Sequence, residues 1–434
     1  MKFVNEVGII ILLYIILLLV SGVYFFRSIK KKKSLDMFSW YLLGQAMFFS
    51  IPYIVITILD LDFKFYQSDQ IVMLGWLLII TSNLLVFLSY KVFPIYLPKI
   101  ILKSNSYIYK VAVFITYGLV VFSFLFALLN IIDIGITNIS ANHVLRQRLS
   151  FLGPFAIILM LPLGVSTYYW IRIIDREKAP FIKYKALIFS VMALTVAFFR
   201  GQRTDLILIL LFPLLYIFYK KRKLSLLVGS FVGLIVFSAT YATLFKTSMQ
   251  FLDLSISDVI LRVITGDIDR NWTYWMALDE SGVTSSSIMS TPFGGYIYTF
   301  LTFIPRSIFE FKGYSTETWF VFFMGNNFVN EWFVGSLSDV NWGITLSGIT
   351  ESVINGGFIG IIMFSIIMGF ILKLMQHLTI KYKYLNCCFP LIALLFSGYT
   401  FFNILIIYIP IAFVLFIFNK RDCSKINSKD VCGI

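Results

Sequence analysis

Residues 186–218 read ALIFSVMALTVAFFRGQRTDLILILLFPLLYIF. Two apolar runs, Ala186–Phe199 and Leu206–Phe218, flank a polar break, Arg200-Gly201-Gln202-Arg203-Thr204-Asp205. Such runs read as membrane helices, because a helix satisfies its own backbone hydrogen bonds where no water is present. An arginine near hydrocarbon costs about 2.5–3.5 kcal/mol even on the mildest insertion scale. Two arginines three residues apart, beside a glycine, therefore need a reason. In one reading both guanidiniums face an anion at the outer membrane boundary, and Gly201 lets the backbone turn close to it. In the other they cap a hairpin and snorkel to lipid phosphates. Asp205 is placed to pair with Arg203 or Arg200, or to act as a base.

The whole chain has the same character. Hydrophobic residues make up 59% of the 434 and charged residues 13%, about half the charged share of soluble domains. No polar stretch is long enough for a separate soluble domain, so residues 1–434 are expected to form one integral membrane domain. The net charge of +14 then reflects lysine-rich cytoplasmic loops, with no nucleic-acid partner implied. Apolar runs predict an all-α polytopic protein with about eleven transmembrane helices. They are Val7–Phe25, Met37–Leu59, Ile71–Tyr90, Val111–Ile132, Leu152–Ile171, Ala186–Phe199, Leu206–Phe218, Leu224–Leu244, Gly357–Met375, Phe389–Tyr399 and Asn403–Phe418. The last two are also compatible with one bent helix. Val7–Phe25 is expected to be a retained helix, since no basic lead or A-x-A site marks it for cleavage.

Basic loops set the orientation. Placing Arg27–Lys33 inside also puts Lys91–Lys110, Arg172–Lys185, Lys220–Lys223, Lys373–Lys383 and Lys420–Lys429 inside, with the N-terminus outside and the C-terminus cytoplasmic. Lysine and arginine then part company. Of 24 lysines only Lys2, Lys64, Lys246 and Lys312 fall outside, whereas seven of 12 arginines do: Arg146, Arg148, Arg200, Arg203, Arg262, Arg270 and Arg306. Arginine is planar, bidentate and permanently charged. Its enrichment against the positive-inside bias points to an outer site for phosphate or carboxylate groups.

Residues 245–356 form a large outer loop that carries Trp272, Trp275, Trp319, Trp332 and Trp342, five of the eight tryptophans. A loop of this length with this composition is usually functional. Its tryptophans suit stacking on sugar rings, or the aromatic belt found at any membrane interface. Thr291–Ile304 is apolar but short, and reads as a re-entrant or interfacial segment ending at Pro305-Arg306. His143, Arg146 and Arg148 form a basic cluster suited to a second anion contact or to lipid anchoring. Glu351, in Ser347-Gly348-Ile349-Thr350-Glu351 ahead of Asn355-Gly356-Gly357, is expected either to take a proton from a hydroxyl or to hold an arginine, with pairing favoured.

Several chemistries find no residues to carry them. There is no P-loop, zinc spacing or nucleophile elbow. The two histidines, His143 and His377, fall on opposite sides of the membrane in this topology, so no metal and no cofactor are expected. Cys387, Cys388, Cys423 and Cys432 match no redox or zinc motif and read as reduced thiols.

In their order along the chain, Arg200-Gly201-x-Arg203, Ile304-Pro305-Arg306 and the run from Gly348-Ile349-Thr350-Glu351 to Gly356-Gly357 resemble the bacterial oligosaccharide repeat-unit polymerases, the Wzy-type O-antigen and capsule polymerases. The likeness covers most of Ala186–Met375, while the N-terminal half matches only in hydropathy. Thr350 stands where the family often has glycine before its glutamate. The resemblance implies a GT-C-like membrane fold in the bacterial plasma membrane. It also implies a metal-independent glycosyltransferase that extends glycans carried on undecaprenyl pyrophosphate at the outer face, alongside a flippase and a chain-length regulator. Arg200, Arg203, Arg306 and Glu351 would be catalytic, with Asp205, His143, Arg146, Arg148, Arg270, Trp319 and Trp332 binding substrate. An O-antigen ligase, or a flippase for the same lipid-linked oligosaccharide, is the alternative.

Overall fold

The computed structural model describes residues 2–30, 35–61, 68–95, 107–134, 153–200, 203–226, 228–229, 233, 261, 263–281, 289, 291–301, 304, 309, 313–329, 332–340 and 344–418. All regular structure among them is helical. In chain order the helices are α1 (Lys2–Lys30), α2 (Met37–Ile58), α3 (Asp69–Val92), α4 (Tyr107–Ile134), α5 (Leu161–Ile174, entered through a 3-10 turn over Gly153–Met160), α6 (Ile182–Arg200) and α7 (Arg203–Lys221). They continue with α8 (Asn271–Ser281), α9 (Gly294–Phe300), α10 (Thr316–Asn327), α11 (Gly348–Lys381), α12 (Phe389–Leu395) and α13 (Phe401–Phe418). Seven helical stretches among the described residues are long and apolar enough to cross a membrane, and Ile407–Phe418 is a shorter apolar one. The chain is an all-helical membrane protein. The expected span Leu224–Leu244 lies mostly outside the described residues.

Small and polar side chains join the long helices, as is usual where no hydrophobic effect separates protein from lipid. Helices α3 and α11 meet through Ser82 and Ser365, whose hydroxyls are 2.7 Å apart, and through Gly369, where a Cβ would strike Ser89 and the Val86 carbonyl. Helices α5 and α6 share a Ser166–Ser190 contact of 2.9 Å, to which the Trp170 indole also donates. Tyr117 of α4 and Tyr169 of α5 join through their hydroxyls at 2.6 Å. At one end of the bundle Asp175 accepts from Lys220 and Lys383, each at 2.7 Å. This links the α5–α6 turn, α7 and the 3-10 turn that follows α11. Burial pushes the Asp175 carboxyl up, but the two ammoniums more than offset it and its pKa falls below the ordinary value.

Two backbone irregularities shape the opposite end. The first is a π-turn over Ala46–Ser50 within α2. It leaves carbonyls free for outside donors: Phe48 accepts the Arg270 N–H at 3.1 Å and Phe49 accepts Asn271 Nδ2 at 2.9 Å. These bonds seat the start of α8, whose first eight residues are all buried. A further bond, from the Tyr14 hydroxyl to Asn271 Oδ1 at 3.1 Å, ties it to α1. The expected outer loop thus contributes a helix to the packed interior.

The second irregularity is a reversal in α11. Gly356 (φ −156°, ψ 18°) and Gly357 (φ 54°, ψ −137°) are non-helical, and the positive φ at Gly357 is open to glycine at little cost. In a continuous helix Gly348 and Phe364 would lie about 24 Å apart. Here Gly348 abuts the Phe364 ring, and Gly360 abuts the Ser352 backbone. Residues 348–355 therefore double back along the long limb, residues 358–381. The short limb is buried throughout and starts at Ser347, whose hydroxyl accepts the Thr350 N–H at 3.0 Å. Its terminal carbonyls are satisfied by Phe293, which donates to Asn355 O at 2.8 Å. Re-entry was expected at Thr291–Ile304. The described part of that stretch is the short helix α9, and the segment that doubles back is residues 348–355, because the paired glycines permit the turn there.

Candidate active site

Helices α12 and α13 are joined by a short polar turn, Phe396 to Thr400, in an otherwise apolar run. Gly44 lets α12 approach α2 so closely that a Cβ there would strike the Leu394 carbonyl, and Gly398 lies against the Phe48 ring. Ser397 donates to the Tyr41 carbonyl at 2.8 Å. The turn is thus held against α2, beside the π-turn.

Three charged side chains converge on it. Arg270, 3% exposed, donates from Nε to the Gly398 carbonyl at 2.9 Å and from Nη1 to the Asp269 carbonyl at 2.9 Å. Its guanidinium lies 5.6 Å from the ring centres of both Phe48 and Tyr399. Glu317, in the first turn of α10, accepts at Oε1 from Thr400 Oγ1 at 2.9 Å and from Asn403 Nδ2 at 2.6 Å. Glu351, 1% exposed, accepts at Oε2 from the Phe401 N–H at 3.0 Å and at Oε1 from Thr316 Oγ1 at 3.4 Å.

Asn355 organises the floor of this cluster. It donates to Thr316 Oγ1 at 2.9 Å and to the Glu351 carbonyl at 2.8 Å, and its Oδ1 accepts the Gly295 N–H at 2.8 Å. Gly295 admits no Cβ, which would strike Thr316. The Tyr296 hydroxyl is buried with no partner among the described residues and lies within electrostatic reach of Glu351. Burial pushes the Glu317 carboxyl up to about 7, with Thr400, Asn403 and the charge of Arg270 each holding it down. A carboxyl in that range can accept and return a proton near neutrality.

Arg200 was read as facing an anion. Its Nε lies 3.0 Å from Asp205 Oδ2, with side chains 7% and 3% exposed, so an internal carboxylate pairs with the Nε side of the guanidinium. This is the pairing with Arg200 or Arg203 expected of Asp205. Its Nη1 also meets the Met160 sulfur. Tyr408 of α13 is within electrostatic reach of both Asp205 and Tyr399, so the pair borders the end of the bundle that holds Arg270. Arg203 is the first residue of α7. Arg306, His143, Arg146 and Arg148 lie outside the described residues.

Glu351 was expected to hold an arginine. Among the described residues its partners are instead a backbone N–H and a hydroxyl, because the doubled-back limb presents it to the α12–α13 turn. Trp319 is half-buried, edge-on to Phe322 at 6.0 Å, and Trp332 is half-buried beyond the end of α10, where the chain folds back and its carbonyl abuts Gly325. Neither touches the carboxyl cluster in any described contact.

Sequence reasoning missed Glu317, Thr400 and Asn403. Glu317 stands in a first helical turn, where an acid is ordinary. The one available signal for the other two was the polar break at Ser397–Thr400. Among the described residues no three His, Cys, Asp or Glu side chains gather as metal ligands. No known protein family matches the chain, and neither does a curated protein or a solved structure.

Proposed function

We propose that this chain is a glycosyltransferase of the bacterial plasma membrane that joins oligosaccharide repeat units carried on undecaprenyl pyrophosphate into O-antigen or capsular polysaccharide. The observation that carries this reading is the convergence of Glu351, Glu317 and Arg270 on one turn inside an apolar helical bundle. Charged groups so placed are costly and mark function by default.

The chemistry needs a proton acceptor and fixed positive charge. The hydroxyl of the incoming unit attacks the anomeric carbon of the lipid-linked glycan. The bond from that carbon to the pyrophosphate oxygen breaks, and undecaprenyl pyrophosphate leaves with the electron pair. Glu351 takes the hydroxyl proton. Guanidiniums stabilise the charge that grows on the leaving pyrophosphate more than they stabilise the ground state. Arg270 supplies one such charge, and Arg200, Arg203 and Arg306 are proposed to supply the rest without a metal. The Tyr296 hydroxyl and the half-buried Trp319 and Trp332 offer a hydrogen bond and aromatic faces to sugars. The N-terminus is placed outside and the C-terminus in the cytoplasm, with a flippase delivering substrate and a chain-length regulator as partner.

The test is extension of a lipid-linked repeat unit by reconstituted protein. Wild type builds a ladder, while Glu351→Gln leaves single repeats. Normal ladders from Glu351→Gln would overturn the assignment of the base. The buried carboxyl pair also favours a second reading, a proton-coupled flippase for the same lipid. Movement of substrate across the bilayer without extension would decide for it. A ligase is separated by deletion, since losing it leaves long chains on the carrier.

A further inference from the structure

About 30 Å along α11 from Glu351, the other end of the bundle carries an open hollow of about 830 Å³. Its walls are Asp175 and Glu177 of the α5–α6 turn, Tyr216, Tyr219, Lys220 and Lys221 at the end of α7 with Arg222 just past it, and Lys383 after α11.

The charges around it do not cancel. Asp175 is held by Lys220 and Lys383, and Glu177 by Arg172 at 2.6 Å. Lys221 and Arg222 have no carboxylate partner among the described residues. Arg222 closes α7 in the left-handed conformation, φ 54°, and its N–H donates to the Phe218 carbonyl at 2.7 Å. That turn lays its guanidinium 5.2 Å from the Tyr219 ring centre. Nη1 and Nη2 are nevertheless buried without an acceptor among the described residues. Leaving buried donors of a charged group unmade is expensive, so the site is short of an anion.

The position narrows the anion to one class. Phe181 and Tyr184, at the start of α6, are largely exposed, and aromatic side chains at helix ends sit at headgroup level. Basic pockets between membrane helices at this level take anionic headgroups. We propose that this hollow seats the phosphate of an anionic phospholipid headgroup, with Arg222 and Lys221 as its charged contacts. The proposal rests on the membrane reading alone and is independent of glycosyl transfer.

The test uses the full-length protein in detergent and native mass spectrometry, with phosphatidylglycerol and phosphatidylcholine of matched acyl chains. Wild type should retain phosphatidylglycerol preferentially. Lys221→Gln/Arg222→Gln should weaken that retention roughly 25-fold, about fivefold for each cation removed. Lys183→Gln/Lys185→Gln, which removes two exposed charges at the same end, should leave it unchanged. If the double variant folds poorly, Lys221→Gln alone should weaken retention about fivefold, since Lys221 is exposed. Equal retention of both lipids, no loss in the variants, or equal loss in the control pair would overturn the proposal. Inorganic phosphate that binds the protein in phosphatidylcholine as tightly as the anionic lipid does would overturn the lipid assignment in favour of a soluble anion.

Discussion

The backbone N–H of Phe401 donates to Glu351 Oε2 at 3.0 Å, across 50 residues of chain. It joins the doubled-back limb of α11 to the turn that also brings Thr400 and Asn403 to Glu317. The turn fixes the place of both carboxyls, so the first experiments belong there.

Glu351→Gln keeps a carbonyl oxygen for the Phe401 N–H and removes the proton acceptor. Folding should be near wild type, and repeat-unit transfer should fall by about 10² to 10⁴, the usual worth of a positioned base. Glu351→Ala should also unfold more easily, by about 1–3 kcal/mol, because it leaves the Phe401 N–H buried without a partner. Thermal melts in detergent and a chain-length assay separate the two effects.

Glu317 should make stability depend on pH. Its folded pKa is pushed from 4.5 to about 7, so between those values the folded protein holds a proton that the unfolded chain has lost. Stability contributed by the neutral form is complete below about 4.5 and declines as pH rises through about 7. Melting temperatures from pH 4.5 to 8 should fall in wild type and fall less steeply in Glu317→Gln, where the Glu317 contribution is gone. A parallel pair of curves would refute the assignment.

Arg200 and Asp205 should behave as a coupled pair. Removing either alone strands a buried charge, at a cost of about 3–5 kcal/mol. Arg200→Ala/Asp205→Ala should be less destabilised than the sum of the singles. Additive losses in that cycle would show that Arg200 serves chiefly another partner. If the pair also binds pyrophosphate, the double variant should fold and still fail to extend chains.

Gly44→Ala should loosen the site without touching a charge. The added methyl strikes the Leu394 carbonyl and comes within 2.8 Å of Ser397 Oγ, so α12 must move off α2. A loss of about 1–3 kcal/mol is expected, with reduced transfer because the turn moves with α12. Gly118→Ala, which meets nothing within 4 Å, should be neutral or slightly stabilising.

Most helices were legible in the sequence. Ile71–Tyr90, Met37–Leu59 and Val111–Ile132 appear as α3, α2 and α4 within a few residues, because each run must bury its own backbone bonds wherever lipid replaces water. The site was legible only in part. Glu351 and Arg270 stood out as charges in an apolar chain. Glu317 did not, since nothing local separates it from an ordinary acid at a helix start.

Hydropathy alone settled that this is a helical membrane chain with few charges to place, since the cost of moving a side chain out of water belongs to that side chain. The reversal at Gly356-Gly357, the π-turn that captures Arg270 and Asn271, and the meeting of Glu317 with Glu351 depend on donors and acceptors far apart in the chain. Only the tertiary structure decided them, because a hydrogen bond takes its partner from what folding brings near.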